Sequence, residues 1–538
     1  MSTNQVGPGR VRAALVAVLA VVGLGSSSSF AGAGTLAATG VSGAKYTFTV
    51  TCSTRSATAR MFMQTATDFH GFTVSDNSGH TALSRYTVNG VPASSGPQDW
   101  VAAIHLDSLG ASYRLDEVAL DGTVTPVVAP VVTSDCPVYG GFGAKFVPIG
   151  STRILDTRPA SPIGYSGPKP GGSTSVELQV TGTAGIPANA VAVALNVTMT
   201  ETTQPGFVQA FPTGLGTAGA SSNINAEFAG QTIPNSVIVP IGIGGRVTLF
   251  TNSGTHLLAD VSGYFVNATA PVKEGRFVTV APQRVLDTRT DSPVNYTGPK
   301  PGQGATVRVN PVAAAGLPAG QVGAVAINVT ATEASAAGFV QIAPAGGLVP
   351  GASSSLNVVR AGQTIPNMVI VAVSAAGEID LFTQNGTNLI VDVLGWFTNT
   401  TAPASTSGLY FPVVPERVLD TRPDTTVNFD AERRPVLGET TKPAATSSVD
   451  VFFDGLPSGQ VAAVVLNLTA TESGAAGFVQ GAAQLALSPG ASSNLNVERA
   501  RQTIANAAIL PVSDARAISL YTQSSTNLIA DLAGFFRK

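Results

Sequence analysis

One hexapeptide governs what this chain can fold into. RILDTR spans Arg153 to Arg158, and RVLDTR returns at Arg284 to Arg289 and at Arg417 to Arg422. Each copy opens a unit of roughly 130 residues, the signature of a repeat architecture rather than of one large core. The units run from about Phe146 to Phe265, Phe277 to Phe397 and Tyr410 to the C-terminal end at Lys538. Short stretches rich in small residues and proline (VNATAPVKEG, TNTTAPASTSG) separate them as linkers.

Every unit runs through the same signals. After the hexapeptide comes a Gly-Pro-rich stretch (YSGPKPGG, YTGPKPGQ), then GIP or GLP and a strand-like segment ending in Glu. GFV, an SSNIN, SSSLN or SSNLN segment, a QTIPN or QTIAN turn and a last segment ending in Gly-aromatic-Phe complete the series. In the third unit the Gly-Pro stretch is replaced by a longer one, Asp424 to Lys442. In VALNVTMTE, Leu195, Val197 and Met199 share one face of an extended strand, and Asn196, Thr198 and Thr200 share the other. The same alternation carries Asn328 and Asn467. With 58 glycines and 35 prolines and no sustained helical period, few helices are expected. The fold class that follows is all-β: an N-terminal β-sandwich and three tandem β-sandwich or jelly-roll-like domains of about eight to ten strands each.

Residues 1–33 read as an export signal, in which Arg10 and Arg12 precede an apolar run from Ala13 to Leu24 and small residues lead to Ala31 or Ala33. A separate unit spans 44–138 without the hexapeptide. It holds both cysteines of the chain, Cys52 and Cys136, which an oxidising compartment would pair. A formal net charge of -3 and the lack of a basic cluster argue against a nucleic-acid partner. After signal cleavage no membrane contact is expected, and localisation is secreted or at the cell surface.

Chemistry, if any, would rest on the repeated acids Asp156, Asp287 and Asp420. A structural reading has Arg158, Arg289 and Arg422 reach Asp260, Asp392 and Asp531 in the last strand of their own units, tying first strand to last. A catalytic reading pairs the hexapeptide acids with Glu201, Glu333 and Glu472 as a glycoside hydrolase or lyase. No catalytic residue or metal ligand is assigned. Calcium is the one cofactor that loops of Asp, Asn and carbonyls could hold. His70 and His80 match no zinc spacing. Tyr165 and Tyr296, in the Gly-Pro loops, are candidate ligand-loop residues for a sugar face, against the alternative that each packs onto its own loop. The Asn196, Asn328 and Asn467 sequons lie in strands and are not read as glycosylated.

Taken together, RVLDTR, NVTxTE, GFV, SSxLN, GQTIPN and DVxGYF resemble those of a family of secreted, actinobacterial-type repeat proteins. Its modules recur in tandem or as appendages to extracellular hydrolases. The resemblance covers about Phe146 to Lys538, with QTIAN and GFF departing from it in the third unit. It implies secreted or surface placement and transfers no catalytic residue. The expected role is a non-enzymatic binding or adhesion protein, a rod of β-domains contacting cell-wall or extracellular polysaccharide or another surface protein. A spacer without a ligand and a glycoside hydrolase are the alternatives.

Overall fold

The computed structural model describes residues 143–423, 442–453, 456 and 460–538 continuously. Of the preceding part it describes the strands between Gly34 and Val132, together with residue 123. The predicted signal, both cysteines and the long segment of the third unit lie outside the described residues. The chain divides into two compact units, one within residues 1–136 and one comprising essentially residues 137–538.

The first unit has two four-stranded sheets. In the first, Gly34–Thr39, Lys45–Thr51, Ser56–Met63 and Gln98–His105 are neighbours in that order; in the second, Thr81–Arg85, Phe69–Asp76, Ser112–Ala119 and Val124–Val132. Phe72, Val74 and Leu115 are buried in it. The Tyr46 ring meets Phe72 edge-on at 5.5 Å, and its buried hydroxyl donates to Glu117 Oε1 at 2.8 Å, which satisfies the one polar atom burial would otherwise leave bare.

In the second unit the first repeat sets the pattern. An inner sheet runs Ile233–Pro240, Ala190–Thr200, His256–Asn267, Ala144–Asp156, and an outer sheet runs Thr174–Gln179, Arg246–Thr251, Gly206–Pro212, Ile224–Ala226. All pairings are antiparallel. The expected all-β sandwich is therefore what forms, eight strands to a repeat. Helix among the described residues is confined to a 3-10 turn at Ile243–Gly245 and one short helix at Pro311–Ala314. Between the two sheets, Val193, Leu195, Val197 and Met199 face Val208, Val247 and Leu249 in an apolar core, as the period of two requires.

The other face of the inner sheet is not solvated. Ala192, Ala194, Ile238, Phe146 and Phe265 cluster with their counterparts from the other repeats, because the three inner sheets turn toward one another. Two aromatic rings per repeat meet there in rotation: Phe146 on Phe397, Phe277 on Phe536 and Tyr410 on Phe265, each pair at 4.4 Å between centroids. Gly263 and Gly395, in the closing strands, leave the room these rings need, since a Cβ on either would overlap Phe146 or Phe277. The repeats thus close into a three-membered ring around an aromatic core. The expectation of a rod is corrected here: first strands pack against the next repeat in a cycle, and a file of domains has no such closing contact.

Above the aromatic layer the cycle is sealed by six asparagines. Asn196 Nδ2 donates to Ser354 O of the second repeat, Asn328 Nδ2 to Ser493 O of the third, and Asn467 Nδ2 to Ser222 O of the first, at 2.6, 2.7 and 2.6 Å. The asparagines of QTIPN and QTIAN answer them. Asn367 donates to Asn196 Oδ1, Asn506 to Asn328 Oδ1 and Asn235 to Asn467 Oδ1, at 2.8 to 3.0 Å. Their own Oδ1 atoms accept from the backbone N–H of Ser236, Met368 and Ala507 across the same three junctions. Buried amides are stable only when such capacity is used, and here each Asn amide donates and accepts across a junction.

Candidate functional site

The sequence motifs with the most charge converge on the end of each repeat away from the aromatic layer. The register brings Asp156 opposite Leu258 and Thr200 opposite His256, so the hexapeptide, the Glu-ending strand and the start of the closing strand finish together. There Asp156 is buried, accepting from Arg158 Nε and backbone N–H at 3.0 Å and from Arg158 Nη2 at 2.6 Å. Asp287 with Arg289 and Asp420 with Arg422 repeat the arrangement. Burial alone would raise the Asp156 and Asp420 carboxyls, but the hydrogen bonds and charge of Arg158 and Arg422 outweigh it and hold both below the usual carboxylate range.

The predicted partners of the closing-strand acids are exchanged. Asp260 is gripped not by Arg158 but by Arg153, whose Nε and Nη2 donate to Oδ1 and Oδ2 at 2.8 and 2.9 Å. Arg284 takes Asp392 and Arg417 takes Asp531 in the same bidentate way, where Arg289 and Arg422 were expected. The physical reason is register: Arg153 stands opposite Asp260 in the ladder, and Arg158 lies past the strand end, beside its own Asp156. First strand is still tied to last, through the other arginine of the motif. Burial, the larger effect, raises the Asp392 and Asp531 carboxyls despite those arginines.

Glu201, Glu333 and Glu472 terminate their strands in the left-handed region, at φ 52°, 52° and 53°. A non-glycine residue there costs about 1–2 kcal/mol, so something fixes it. The backbone carbonyl of each accepts a lysine, Lys169, Lys300 or Lys442. The Glu333 and Glu472 carboxylates accept from Asn388 and Asn527 Nδ2 at 2.7 Å, while His256 Nε2 stands 3.7 Å from Glu201. Behind them Thr288 and Thr421 donate to the Asn388 and Asn527 carbonyls, and Thr157 meets His256 Nδ1 at 3.1 Å. Each glutamate also acts electrostatically on the half-exposed arginine of its own hexapeptide. The Glu201 side chain is 64% exposed, so this Arg–Glu set reaches solvent.

Tyr165 and Tyr296 are half-buried, each ring lying over the glycine of its own GPK turn, and each hydroxyl donates to a carbonyl of the same loop, Pro168 O or Pro299 O. Among the described residues no group of three His, Cys, Asp or Glu side chains is placed to hold a metal ion. Side chains of His70 and His80 lie outside the described residues. Among the described residues no helix is long and apolar enough to cross a membrane.

Sequence reasoning missed two features. One is the asparagine cycle. The other is a pair of clamps across junctions, in which Glu227 accepts from Thr503 N–H and Arg499, and Glu498 accepts from Thr364 N–H and Arg360. At the corresponding place on the third junction stand Val359 and the exposed Phe228. A solvent-open groove of about 160 Å³ also lies between the first and second repeats.

No protein-family model matches the chain, and no curated protein is found similar to it. Among solved structures, the Bacteroides ovatus mixed-linkage glucan utilization locus SGBP-B in complex with mixed-linkage heptasaccharide aligns over 62% of this chain and 69% of its own, at 11% identity and a TM-score of 0.13. At that score the likeness carries no argument.

Proposed function

We propose that this chain is a non-enzymatic binding protein, secreted or held at the cell surface, whose ring of repeats contacts cell-wall or extracellular polysaccharide or another surface protein. One observation carries the reading against catalysis: the aspartates repeated in every unit are already spent in arginine pairs. Asp156, Asp287 and Asp420 are buried and bonded to arginine, and Asp260, Asp392 and Asp531 are held bidentately by a second arginine. A general acid or nucleophile must instead be free to change protonation or bond at the substrate.

Contact with a polymer suits the ring. Three Arg–Glu sets share one end, and several weak contacts on one rigid body gain through effective concentration. The spacer alternative fits less well, because repeats that close on one another add no length. Retention of the full chain on purified cell wall and on immobilised extracellular polysaccharides, at low and at high calcium, tests the proposal. Retention weakened by the combined substitutions Glu201→Gln, Glu333→Gln and Glu472→Gln is the expected result. Absence of retention on every wall, glycan and surface-protein fraction overturns it.

A further inference from the structure

The three repeats act as internal controls for one another, and side-chain size at the junctions varies among them. In each repeat the opening strand leaves its ladder for three residues: Ile149, Gly150 and Ser151 in the first, Val280, Ala281 and Pro282 in the second, Val413, Val414 and Pro415 in the third. These bulges lie against the next repeat around the ring. Facing them is the strand that begins with GFV, which carries Phe211 in the first repeat, Ala343 at the same place in the second and Ala482 in the third, where it faces the bulge with Ala281. Where the third repeat meets the first, Val414 and Phe211 are both buried. Where the first meets the second, the same two positions hold Gly150 and Ala343. A Cβ built on Gly150 would meet nothing within 4 Å, and the groove of about 160 Å³ opens there.

The groove mixes two kinds of surface. Ile149, Pro344 and Val349 supply apolar surface, over the buried Ile342 and Met368. Ser151 and Ser262 supply hydroxyls, with the buried Asp260 behind them. Ser262 Oγ has only a long contact, 3.5 Å, to Ala194 O, which leaves it available for a closer partner. Because the buried Asp260 carboxylate is already neutralised by Arg153, the groove offers hydroxyls without net charge. The volume holds roughly five waters at about 30 Å³ each, on the order of one six-membered sugar ring. A pyranose presents one C–H face and a rim of hydroxyls that both donate and accept. That chemistry matches a groove that offers apolar surface and hydroxyls together.

We infer that the groove between the first and second repeats is a subsite for one neutral pyranose ring of a glycan, opened by Gly150 and Ala343 where the junction of the third and first repeats holds Val414 and Phe211. The inference deepens the polysaccharide reading above and rests on it for the identity of the polymer. Its test uses the full chain with methyl-labelled Ile and Met. The probes are the methyl glycosides of glucose, galactose, mannose and N-acetylglucosamine and short oligosaccharides of each. Titration is expected to shift the Ile149, Ile342 and Met368 methyl signals with at least one probe. Gly150→Val and Ala343→Phe, which install the residues of the filled junction, each weaken that binding at least about tenfold, equivalent to about 1.4 kcal/mol. Ala281→Val, at the matching position of the second repeat, leaves it unchanged.

If no probe moves the three methyl signals of the unsubstituted chain, the inference is overturned without recourse to a variant. It is also overturned if a probe binds equally to all four proteins. Wall retention of the same proteins separates the two readings: retention unaffected by Gly150→Val keeps the surface-binding role and removes the groove, whereas Gly150-dependent sugar binding without retention does the reverse.

Discussion

The two arginines of RVLDTR have different burial and therefore different energetic weight. The Arg153 side chain is 18% exposed and is the bidentate partner of a buried aspartate. Arg153→Met strands Asp260 and is expected to destabilise the protein by about 3–5 kcal/mol. Arg158 is 36% exposed, and Asp156 also accepts from Ser161, so Arg158→Met should cost only about 1–2 kcal/mol. Urea unfolding of the two variants measures the difference, and an equal loss would reject the exchanged pairing. The pH dependence has a definite sign. Asp156 and Asp420 are held below their ordinary values, so their contribution is complete above the unfolded carboxylate pKa of about 3.9. It is lost as pH falls through the lower folded values. Asp392 and Asp531 are raised, so theirs is the opposite: complete in acid and lost as pH rises through the raised values. Melting temperatures taken from pH 5 downward should drop less steeply in Asp156→Asn than in the unsubstituted chain.

Among the elements, the junctions between repeats decide how firmly the ring holds. Two carry a glutamate that accepts a backbone N–H and an arginine from the neighbouring repeat; the third offers Val359 and Phe228. Val359 already has the backbone anchor of its counterparts, its N–H donating to Gln363 Oε1 as Glu227 donates to Gln231 and Glu498 to Gln502. Val359→Glu combined with Phe228→Arg should complete the third clamp and stabilise the fold by about 0.5–1 kcal/mol, the range of half-exposed ion pairs. Chemical denaturation checks it, with each single substitution as a control. The strands themselves were legible in the sequence, because period two separated Leu195, Val197 and Met199 from Asn196, Thr198 and Thr200. What covers the second face was not. Alternation says only that two faces differ, and a face of Asn and Thr reads as solvated. The available hint was that the same face begins Ala192, Ala194, Asn196: small residues and an amide, suited to close approach of another sheet. The expected Arg158–Asp260 pair fails for a similar reason. Facing was readable from parity, but parity cannot place one strand's residue opposite another's without the register.

At the scale of the whole repeat unit, closure makes the three repeats interdependent. Phe146, Phe265, Phe277, Phe397, Tyr410 and Phe536 are each at most 3% exposed, and every ring is covered in part by a different repeat. Truncation after Gly408 removes Tyr410 and Phe536 and uncovers Phe265 and Phe277. It also deprives Asn235 of Asn467 and Asn328 of Ser493, leaving buried amides without partners at about 1–3 kcal/mol each. Ending the chain there is therefore expected to give an aggregating or self-associating product rather than two thirds of a stable protein, because two aromatic surfaces lose their cover together. A fragment of residues 137–538, by contrast, keeps the whole cycle. Compact chains of that length have a radius of gyration of about 21–22 Å. Small-angle scattering of this fragment should return that value, and three sandwiches in file would return a distinctly larger one. An extended profile, or a soluble monomer from the truncation after Gly408, would show that the repeats stand independently and that the aromatic and asparagine layers do not hold them in a ring.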